Sequence, residues 1–453
     1  MTHCIIGAGF SGLPIAKRLL DLGEPFEILE KNSGIGGLWH TGVYDGAHII
    51  SSKKTTEFPD FPMPKSYPDF PSKAQMQRYF ERYAQHFGIT FHVRFNTEVV
   101  SVRPGPDFEK TPMWLVTTAN GETKEYRTVT IANGHNWSPR IVNHEGDFEG
   151  EVIHSQSYQD ASIFKDKSVL IVGYGNTGCD LAVDASRVGF SSDISMRSGN
   201  YFFPKMFMGI PIADLMANSS LKFDWLERMV SRIIVKLMVG DMEKYGLPKP
   251  NHRILDRHPI VNTELINGVR HGRITPRPDI ARFEGNKAYF TDGSFGEYDL
   301  VVYCTGYRLD MPMLVDEDQV LNWKDGLPEL FLRSMSPNYR GIFFPGIGQA
   351  RTGGGPLYQA GGYVTARLLA QEARSQEAVK DQLAKNKRIM FARKYLKQPL
   401  VQKADMSSRG LGFYLPRIRA FNKIMDELGF PDAPKQKSIV IDDYESVGAN
   451  KAT

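Results

Sequence analysis

The chain has 453 residues, of which 41% are hydrophobic and 23% are charged. Both fractions are close to the averages for globular proteins and exclude a disordered chain, a collagen-like repeat and a coiled coil. The 55 Lys and Arg residues nearly balance the 51 Asp and Glu residues, and the net charge of +4 is too small to predict binding to nucleic acid or an anionic membrane. The three cysteines, Cys4, Cys179 and Cys304, are too scattered for a disulfide framework or a zinc site, so we expect no metal.

The length is typical of about three folding units. The first residues show no basic region followed by an apolar segment, and nothing approaches the roughly 18 consecutive apolar residues of a membrane span. We therefore expect a cytoplasmic enzyme without an integral membrane segment.

A glycine-rich loop follows the first predicted strand, His3–Ile6, and precedes a helical spacing of apolar residues over 13–20. In a G-x-G-x-x-G loop the first glycine permits a tight turn, the second lets a pyrophosphate approach the backbone, and the third lets the helix pack on the sheet. The predicted dinucleotide-binding residues here are Gly7, Gly9, Phe10, Ser11 and Gly12.

The next predicted strand, Phe26–Glu30, ends on an acid. Glu30 lies 18 residues after Gly12, where a carboxylate accepts hydrogen bonds from a ribose 2′-hydroxyl. Its neighbour Lys31 is included in the candidate site. Gly37, Leu38 and Trp39 offer further backbone N–H groups near the same pyrophosphate, although a plain turn explains this run equally well.

Three further elements are predicted before the second glycine loop. The Pro-rich and aromatic segment 58–71 is expected to be an ordered connection that covers a cleft. A helix is expected over Gln75–His86. A hairpin is expected from Trp114–Thr118 and Glu125–Ile131, joined at Asn120-Gly121.

The same plan of strand, glycine loop and helix recurs once, beginning at the apolar run Val169–Val172. The predicted binding residues of this second loop are Gly173, Gly175, Asn176, Thr177 and Gly178. Each copy ends on a strand rich in β-branched residues, which is followed by a turn of a small residue and glycine. In the second copy these two residues are Thr305 and Gly306.

The strand after the second loop ends on a base. Arg197, with Ser198 beside it, occupies the position where a guanidinium pairs with a 2′-phosphate. Glu30 would instead repel a 2′-phosphate, so the two copies predict FAD in the first site and NADPH in the second. The alternative for both residues is an ordinary solvated strand end.

A helical excursion from about 210 to 250 follows. Over 225–239, Arg228, Arg232 and Lys236 are spaced four residues apart, which predicts a surface helix with a solvated basic stripe. A membrane-surface anchor is the less favoured interpretation. The excursion would shape either substrate access or subunit contact, and a homodimer is one option for assembly.

One motif between the two loops resembles a family signature. Phe148, Gly150, His154 and Tyr158 form the pattern F-x-G-x-x-x-H-x-x-x-Y, which is similar to the identifying sequence of flavin-containing monooxygenases. The related Baeyer–Villiger monooxygenases usually have Trp where this chain has Tyr158. Both glycine loops, Gly36–Trp39 and Cys304–Tyr307 extend the resemblance over nearly the whole chain.

The resemblance implies an α/β fold with two Rossmann-like dinucleotide-binding domains, the NADPH domain being inserted into the FAD domain. The expected boundaries are 1–150 for the first part of the FAD domain, 151–305 for the NADPH domain with its helical insertion, and 306–453 for the second part with C-terminal helices.

The resemblance also implies a mechanism, in which NADPH reduces FAD and O2 then gives a C4a-hydroperoxyflavin. This species transfers oxygen to a soft nucleophile, an amine or a sulfide, with indole as a further option. Asn176 is the expected bridge between the nicotinamide and flavin sides, and a helix cap is a compatible interpretation. Gln349 is an expected flavin contact, and His154 is expected to be structural.

One position departs from the family pattern. Many members place an Asn where this chain has Ile50, and that Asn helps to stabilise the oxygenated flavin. Either His48, Ser51 or Ser52 substitutes, or the intermediate is less protected. We therefore expect more NADPH to be consumed as H2O2 than in relatives with the Asn.

Three other functions would use some of the same features. A Baeyer–Villiger monooxygenase acting on ketones shares both cofactors, and Tyr158 argues against it. A flavin disulfide reductase needs a redox cysteine pair, which the chain lacks. A non-catalytic nucleotide-binding scaffold does not account for two glycine loops that are followed by side chains of opposite charge, Glu30 and Arg197.

Overall fold

The computed structural model describes residues 2–217, 224–331, 334–348, 350, 352–374, 401–403, 426 and 432. Within them the helices are α1 (Gly12–Leu22), α2 (Leu38–Thr41), α3 (Lys53–Thr56), α4 (Lys73–His86), α5 (Asn176–Val188), α6 (Ile212–Ala217), α7 (Asp224–Met238), α8 (Glu264–Arg270), α9 (Glu317–Val320) and α10 (Gly355–Arg374). Short 3-10 helices lie at Ile89–His92, Ser155–Ser157, Ala161–Phe164 and Glu243–Tyr245.

The strands in the first third of the chain are β1 (His3–Ile6), β2 (Phe26–Leu29), β3 (Val93–Arg94), β4 (Val99–Pro104), β5 (Trp114–Thr118), β6 (Thr123–Tyr126), β7 (Thr128–Ile131) and β8 (Ser138–Pro139). The middle third contains β9 (Glu151–His154), β10 (Ser168–Val172), β11 (Ser191–Ser195), β12 (Phe202–Phe203), β13 (Met206–Phe207), β14 (Ile210–Pro211), β15 (Ile260–Val261), β16 (Thr275–Arg277), β17 (Ile280–Glu284), β18 (Lys287–Phe290), β19 (Phe295–Glu297) and β20 (Leu300–Tyr303). The rest are β21 (Tyr307–Arg308), β22 (Asn322–Lys324), β23 (Leu327–Phe331), β24 (Ile342–Phe343) and β25 (Val401–Lys403).

Two five-stranded parallel sheets carry the two glycine loops. The first has the order β24-β7-β1-β2-β3 and the second the order β16-β11-β10-β20-β9. β1 and β7 are buried at every residue, and β10 is buried from Val169 to Val172. Continuous burial of short β-branched and apolar runs is typical of parallel strands that are covered on both faces. The predicted α/β fold with two parallel sheets is confirmed.

The chain divides into two compact units near, but not at, the predicted boundaries of 150/151 and 305/306. The first unit comprises the described residues of 1–42, 53–135 and 309–453, and the second those of 43–52 and 136–308. Residues 136–150 belong to the second unit because β8 pairs with β21 and Phe148 forms a bridge with Gly285. Residues 43–52 belong there because Tyr44 donates to Asp180.

The predicted strand Glu125–Ile131 is two strands. β6 ends at Tyr126 and pairs antiparallel with β5, whereas β7 begins at Thr128 and pairs parallel with β1. The hairpin prediction was therefore right for β5 and β6 and wrong for β7. Arg127 is the one-residue link at which the chain passes from one sheet to the other.

α7 differs from the predicted basic stripe. Arg228 is only 8% exposed, and its guanidinium donates to the backbone oxygen of Ile254 and, at 2.9 Å, to Asp256 Oδ1. Arg232 and Lys236 are exposed as expected. The stripe prediction was wrong for Arg228, because periodicity alone does not show that a buried carbonyl and a carboxylate lie on the inner face.

Among the helices in the described ranges, none combines the length and the apolar character that crossing a membrane requires.

Candidate dinucleotide-binding sites

In the first loop, two of the three glycines are required by the protein itself. Gly7 has φ +105°, and a Cβ there would lie 2.7 Å from the oxygen of Ala132. A Cβ at Gly12 would overlap the oxygen of Gly7. At Gly9, however, a Cβ would meet nothing closer than the α-carbon of Gly37 at 3.5 Å, which is ordinary van der Waals distance. The chain alone does not explain glycine at this position, whereas a pyrophosphate close to the backbone does.

Phe10 and Ser11 lie at the start of α1. The Phe10 ring packs on Phe58, Phe80 and Tyr358, with centroid distances of 5.3, 5.1 and 4.8 Å. Ser11 is the residue before α1, and its side chain makes no capping hydrogen bond. Leu13 N donates to Gly9 O at 3.2 Å and Pro14 has no N–H, so Gly12 N, which the Ser11 side chain does not cap, is the N–H of the first three helix positions that is available to an anion.

Glu30 lies just after β2 and is 3% exposed. Its Oε2 accepts a hydrogen bond from Ala8 N at 2.8 Å, and its Oε1 accepts from Asn32 N and Nδ2, both at 2.9 Å. A carboxylate offers about four lone-pair sites. Three hydrogen bonds therefore fix Glu30 beside the loop and leave capacity for a further donor. The adjacent Lys31 is exposed.

The Gly36–Trp39 run lies against the first loop. Gly36 N donates to Ala8 O at 3.1 Å, and Gly37 has φ +58°. Leu38 and Trp39, both half-buried, begin α2. The structure thus brings this run next to Gly9, as the prediction of a shared pyrophosphate site requires.

The second loop repeats these roles. Gly173 has φ +97°, and a Cβ there would lie 2.6 Å from the oxygen of Cys304. A Cβ at Gly178 would overlap the oxygen of Gly173. Gly175 has φ −61°, and among the described residues other than its two chain neighbours no atom lies within 4 Å of its Cβ position. Both loops therefore keep open space at the second glycine, which is the fit that a dinucleotide needs.

Arg197 and Ser198 lie just past β11. Arg197 is exposed and has no ion pair within the part of the chain that the structure describes. Ser198 Oγ lies 3.5 Å from the hydroxyl of Tyr174, a residue of the second loop. The predicted 2′-phosphate residues are therefore close to the loop, and the guanidinium is available.

Asn176 is the first residue of α5, after the N-cap Gly175, and it is not a helix cap. Its Oδ1 accepts from Val261 N at 2.9 Å, and Thr177 is half-buried beside it. One turn later, Asp180 accepts from Tyr44 and from Asn262 Nδ2, both at 2.7 Å.

Sequence analysis missed Asp180 and its partners. Burial raises the pKa of the Asp180 carboxyl, although the hydrogen bond from Tyr44 opposes this. The available signal was its position four residues after Asn176, which places both on one helix face. Nothing in the sequence indicated that Tyr44 or Asn262 reach this face.

The Thr305-Gly306 turn follows β20, next to the second loop. Thr305 Oγ1 donates to Arg140 O at 2.6 Å, and Gly306 O accepts from Arg140 N at 2.9 Å. The Thr305 hydroxyl is thus used within the protein. Burial raises the pKa of the neighbouring Cys304 thiol to about 12, so this cysteine stays protonated at neutral pH.

The residues expected to replace the family Asn lie in the second unit. Ser52 is 1% exposed and donates to Asp214, whereas Ser51 is half-buried. Ile50 packs against an apolar cluster that includes Phe203 and Val261. Gln349 lies outside the described residues.

Each residue of the signature motif packs or forms hydrogen bonds within the protein. A Cβ at Gly150 would lie 2.6 Å from the Phe148 ring, so only glycine fits beneath it. His154 accepts from Gln156 N through Nδ1, and its Nε2 lies 3.2 Å from Gly306 O. Tyr158 is buried and donates to Asp184 at 2.8 Å. The motif holds the segment before β10 in place.

The comparisons with known proteins agree with this geometry. A family model described as "Flavin-binding monooxygenase-like" matches residues 2–341. Flavin-containing monooxygenase 5 of Cavia porcellus is 32% identical over 346 residues, which is 71% of this chain and 65% of that protein. The match thus spans just under two thirds of this relative's length.

Solved structures share the fold at lower identity. The closed crystal structure of cyclohexanone monooxygenase has a TM-score of 0.70 at 18% identity. This match covers 97% of the present chain and 99% of the cyclohexanone monooxygenase chain. The complex of OTEMO with FAD and NADP (form 2) has a TM-score of 0.70 at 17% identity. This match covers 95% of the present chain and 98% of the OTEMO chain. The family model matches three quarters of the residues of this chain, which confirms the resemblance inferred from the motifs. The chain belongs to the flavin-binding monooxygenase-like family.

Proposed function

We propose that this protein is an NADPH- and O2-dependent flavin monooxygenase, which binds FAD at the loop after β1 and NADPH at the loop after β10. The observation that carries the proposal is the pairing of two glycine loops, each with open space at its second glycine. A buried acid follows one loop and an exposed base follows the other. Family membership supports the same activity.

Bound FAD would supply the redox and oxygen chemistry, and the chain supplies binding, orientation and exclusion of water. Gly7 and Gly12 fix the turn into α1, so that Gly12 N at the start of this helix is available to the pyrophosphate. The remaining lone-pair capacity of Glu30 suits a ribose hydroxyl.

In the second unit, the start of α5 offers the same kind of N–H groups to the pyrophosphate of NADPH. Arg197 offers a guanidinium to the 2′-phosphate. The side-chain oxygen of Asn176 accepts a hydrogen bond from Val261 N, which fixes this side chain. Its amide NH2 is left as a donor beside the start of the helix.

We expect the substrate to be a soft nucleophile, an amine or a sulfide, with indole as a further option. The cytoplasmic location and the homodimer stay predictions. So does the larger share of NADPH consumed as H2O2, which rests on Ile50 in place of the family Asn.

The test is a substrate panel on the FAD-loaded protein with NADPH and ¹⁸O2. Trimethylamine, a thioether, indole and a cyclic ketone are scored by labelled product, and H2O2 is measured alongside. Labelled N-oxide or sulfoxide is the expected product. A labelled lactone as the main product would favour the Baeyer–Villiger alternative, and FAD that NADPH never bleaches would overturn the proposal.

A further inference from the structure

A second arginine, Arg257, lies close to the residues expected to hold the 2′-phosphate. The hydroxyl of Tyr174, in the second glycine loop, lies 3.5 Å from Ser198 Oγ. Burial raises the pKa of Tyr174, while the positive charges of Arg257 and Arg197 both oppose this rise. The same hydroxyl therefore lies within the field of two guanidinium groups that are 60 positions apart in the chain.

Backbone pairing holds the segment of Arg257 beside that of Arg197. Gly199 forms a β-bridge with Pro250, and β12 pairs parallel with β15. Between these points, Asn200 Nδ2 donates to His258 O at 3.2 Å. Arg257 is thus next to a residue that is bonded to the segment just after Arg197 and Ser198.

Within the part of the chain that the structure describes, neither guanidinium group has a carboxylate partner. Arg197 and Arg257 are exposed, and neither forms an ion pair with any residue the structure describes. The carboxylate nearest in sequence, Asp256, accepts from Arg228 at 2.9 Å. Two cations held near each other repel, and a shared dianion converts this repulsion into attraction.

We propose that Arg257 is the second cation of the 2′-phosphate site, acting with Arg197 and with the hydroxyls of Ser198 and Tyr174, and that it determines selectivity for NADPH over NADH. The proposal rests on the proposed function and deepens it. Its chemical basis is that a phosphate monoester carries up to two negative charges, which two guanidinium groups and two hydroxyl donors match in charge and in hydrogen bonding.

The test compares equilibrium binding of 2′,5′-ADP and 5′-AMP to the FAD-loaded protein by calorimetry. These probes differ only in the 2′-phosphate. Arg257→Ala is expected to lower the affinity for 2′,5′-ADP by about tenfold or more and to leave the affinity for 5′-AMP unchanged. Arg257→Lys is expected to recover part of the loss, since it keeps the charge but not the planar donors.

Arg253→Ala is the matched control, because Arg253 is exposed on the same segment. It is expected to leave both affinities unchanged. If the wild type prefers 2′,5′-ADP and Arg257→Ala keeps that preference, the role of Arg257 is overturned while the NADPH site stands. If the wild type itself shows no preference, the NADPH assignment and the role of Arg257 both fail.

Discussion

At the scale of single residues, Asp180 shows how a half-buried carboxylate is stabilised in the second unit. Its carboxylate receives hydrogen bonds from Tyr44 and Asn262, which come from segments on either side of it in the chain. A buried carboxylate without such donors would cost several kcal/mol or take up a proton, on the order of the penalties known for buried ions. These two bonds therefore fix both segments on α5, one turn from Asn176.

His3 makes the stability of the first unit depend on pH. It is fully buried at the start of β1, where its Nδ1 lies 2.7 Å from Thr128 Oγ1. Burial lowers the pKa of His3 from 6.5 to about 4, and Arg127 adds to this. Glu24, 3.7 Å from Nε2, favours the charged form but does not outweigh burial.

The His3 imidazole binds a proton more tightly in the unfolded chain than in the folded one. The free energy of unfolding is therefore highest above pH 6.5 and falls as the pH is lowered towards 4. The contribution of His3 over this range is about 3 kcal/mol. In urea unfolding followed over this pH range, His3→Asn should flatten this fall, whereas the same change at His86, which is exposed and lies in the same unit, should not. An unchanged slope in His3→Asn would show that His3 is not the group responsible.

The candidate site was predictable where it follows a local pattern. The glycines, Glu30 and Arg197 could be placed because a strand, a tight turn and a helix fix their spacing along the chain. Tyr44, Asn262 and Arg257 could not, because their partners are brought to them by tertiary structure that leaves no periodic signal. The same reason explains why Arg228 was placed on the solvent face.

At the scale of elements, α7 has an unusual distribution of side chains. Arg228 faces inward, whereas Trp225, Met229, Ile233 and Leu237, at intervals of four residues, are 45% to 75% exposed. The helix is therefore held by polar interactions on its inner side in addition to apolar ones. Its stability should depend on Arg228 more than on the other basic residues.

Replacing Arg228 by Ala should lower the free energy of unfolding by about 2 kcal/mol, because it removes charge-assisted hydrogen bonds to Ile254 O and Asp256. Arg232→Ala, one turn further on and exposed, should change it by less than about 0.5 kcal/mol. Thermal and urea unfolding of the two variants measure the difference. Equal effects would mean that the inner hydrogen bonds of Arg228 contribute nothing.

At the scale of the whole molecule, the chain repeats one binding plan in two units with separate cores. The first core gathers Cys4, Ile6, Val129 and Ile342 around β1, and the second gathers Val169, Ile171, Ile194 and Leu300 around β10. Each core supports its own glycine loop, and the charges after the loops differ in sign. The near-neutral total of +4 hides this difference.

Two matched substitutions test whether the two loops bind different nucleotides. Gly9→Ala and Gly175→Ala each place a methyl group where the protein has room, so both variants should fold. Gly9→Ala should lower the affinity for FAD by at least about tenfold and leave NADP⁺ binding intact, since the methyl group occupies the approach of only one pyrophosphate. Gly175→Ala should do the reverse.

Gly46→Ala is the control, because its Cβ position is also open and it lies in neither loop. Calorimetric titration of the two loop variants and the control with both ligands gives the six affinities needed. If either loop variant lost both ligands with its fold intact, the assignment of one nucleotide to each loop would be wrong. Gly12→Ala and Gly178→Ala should instead fail to fold normally, because their Cβ atoms would overlap a carbonyl oxygen of the same loop.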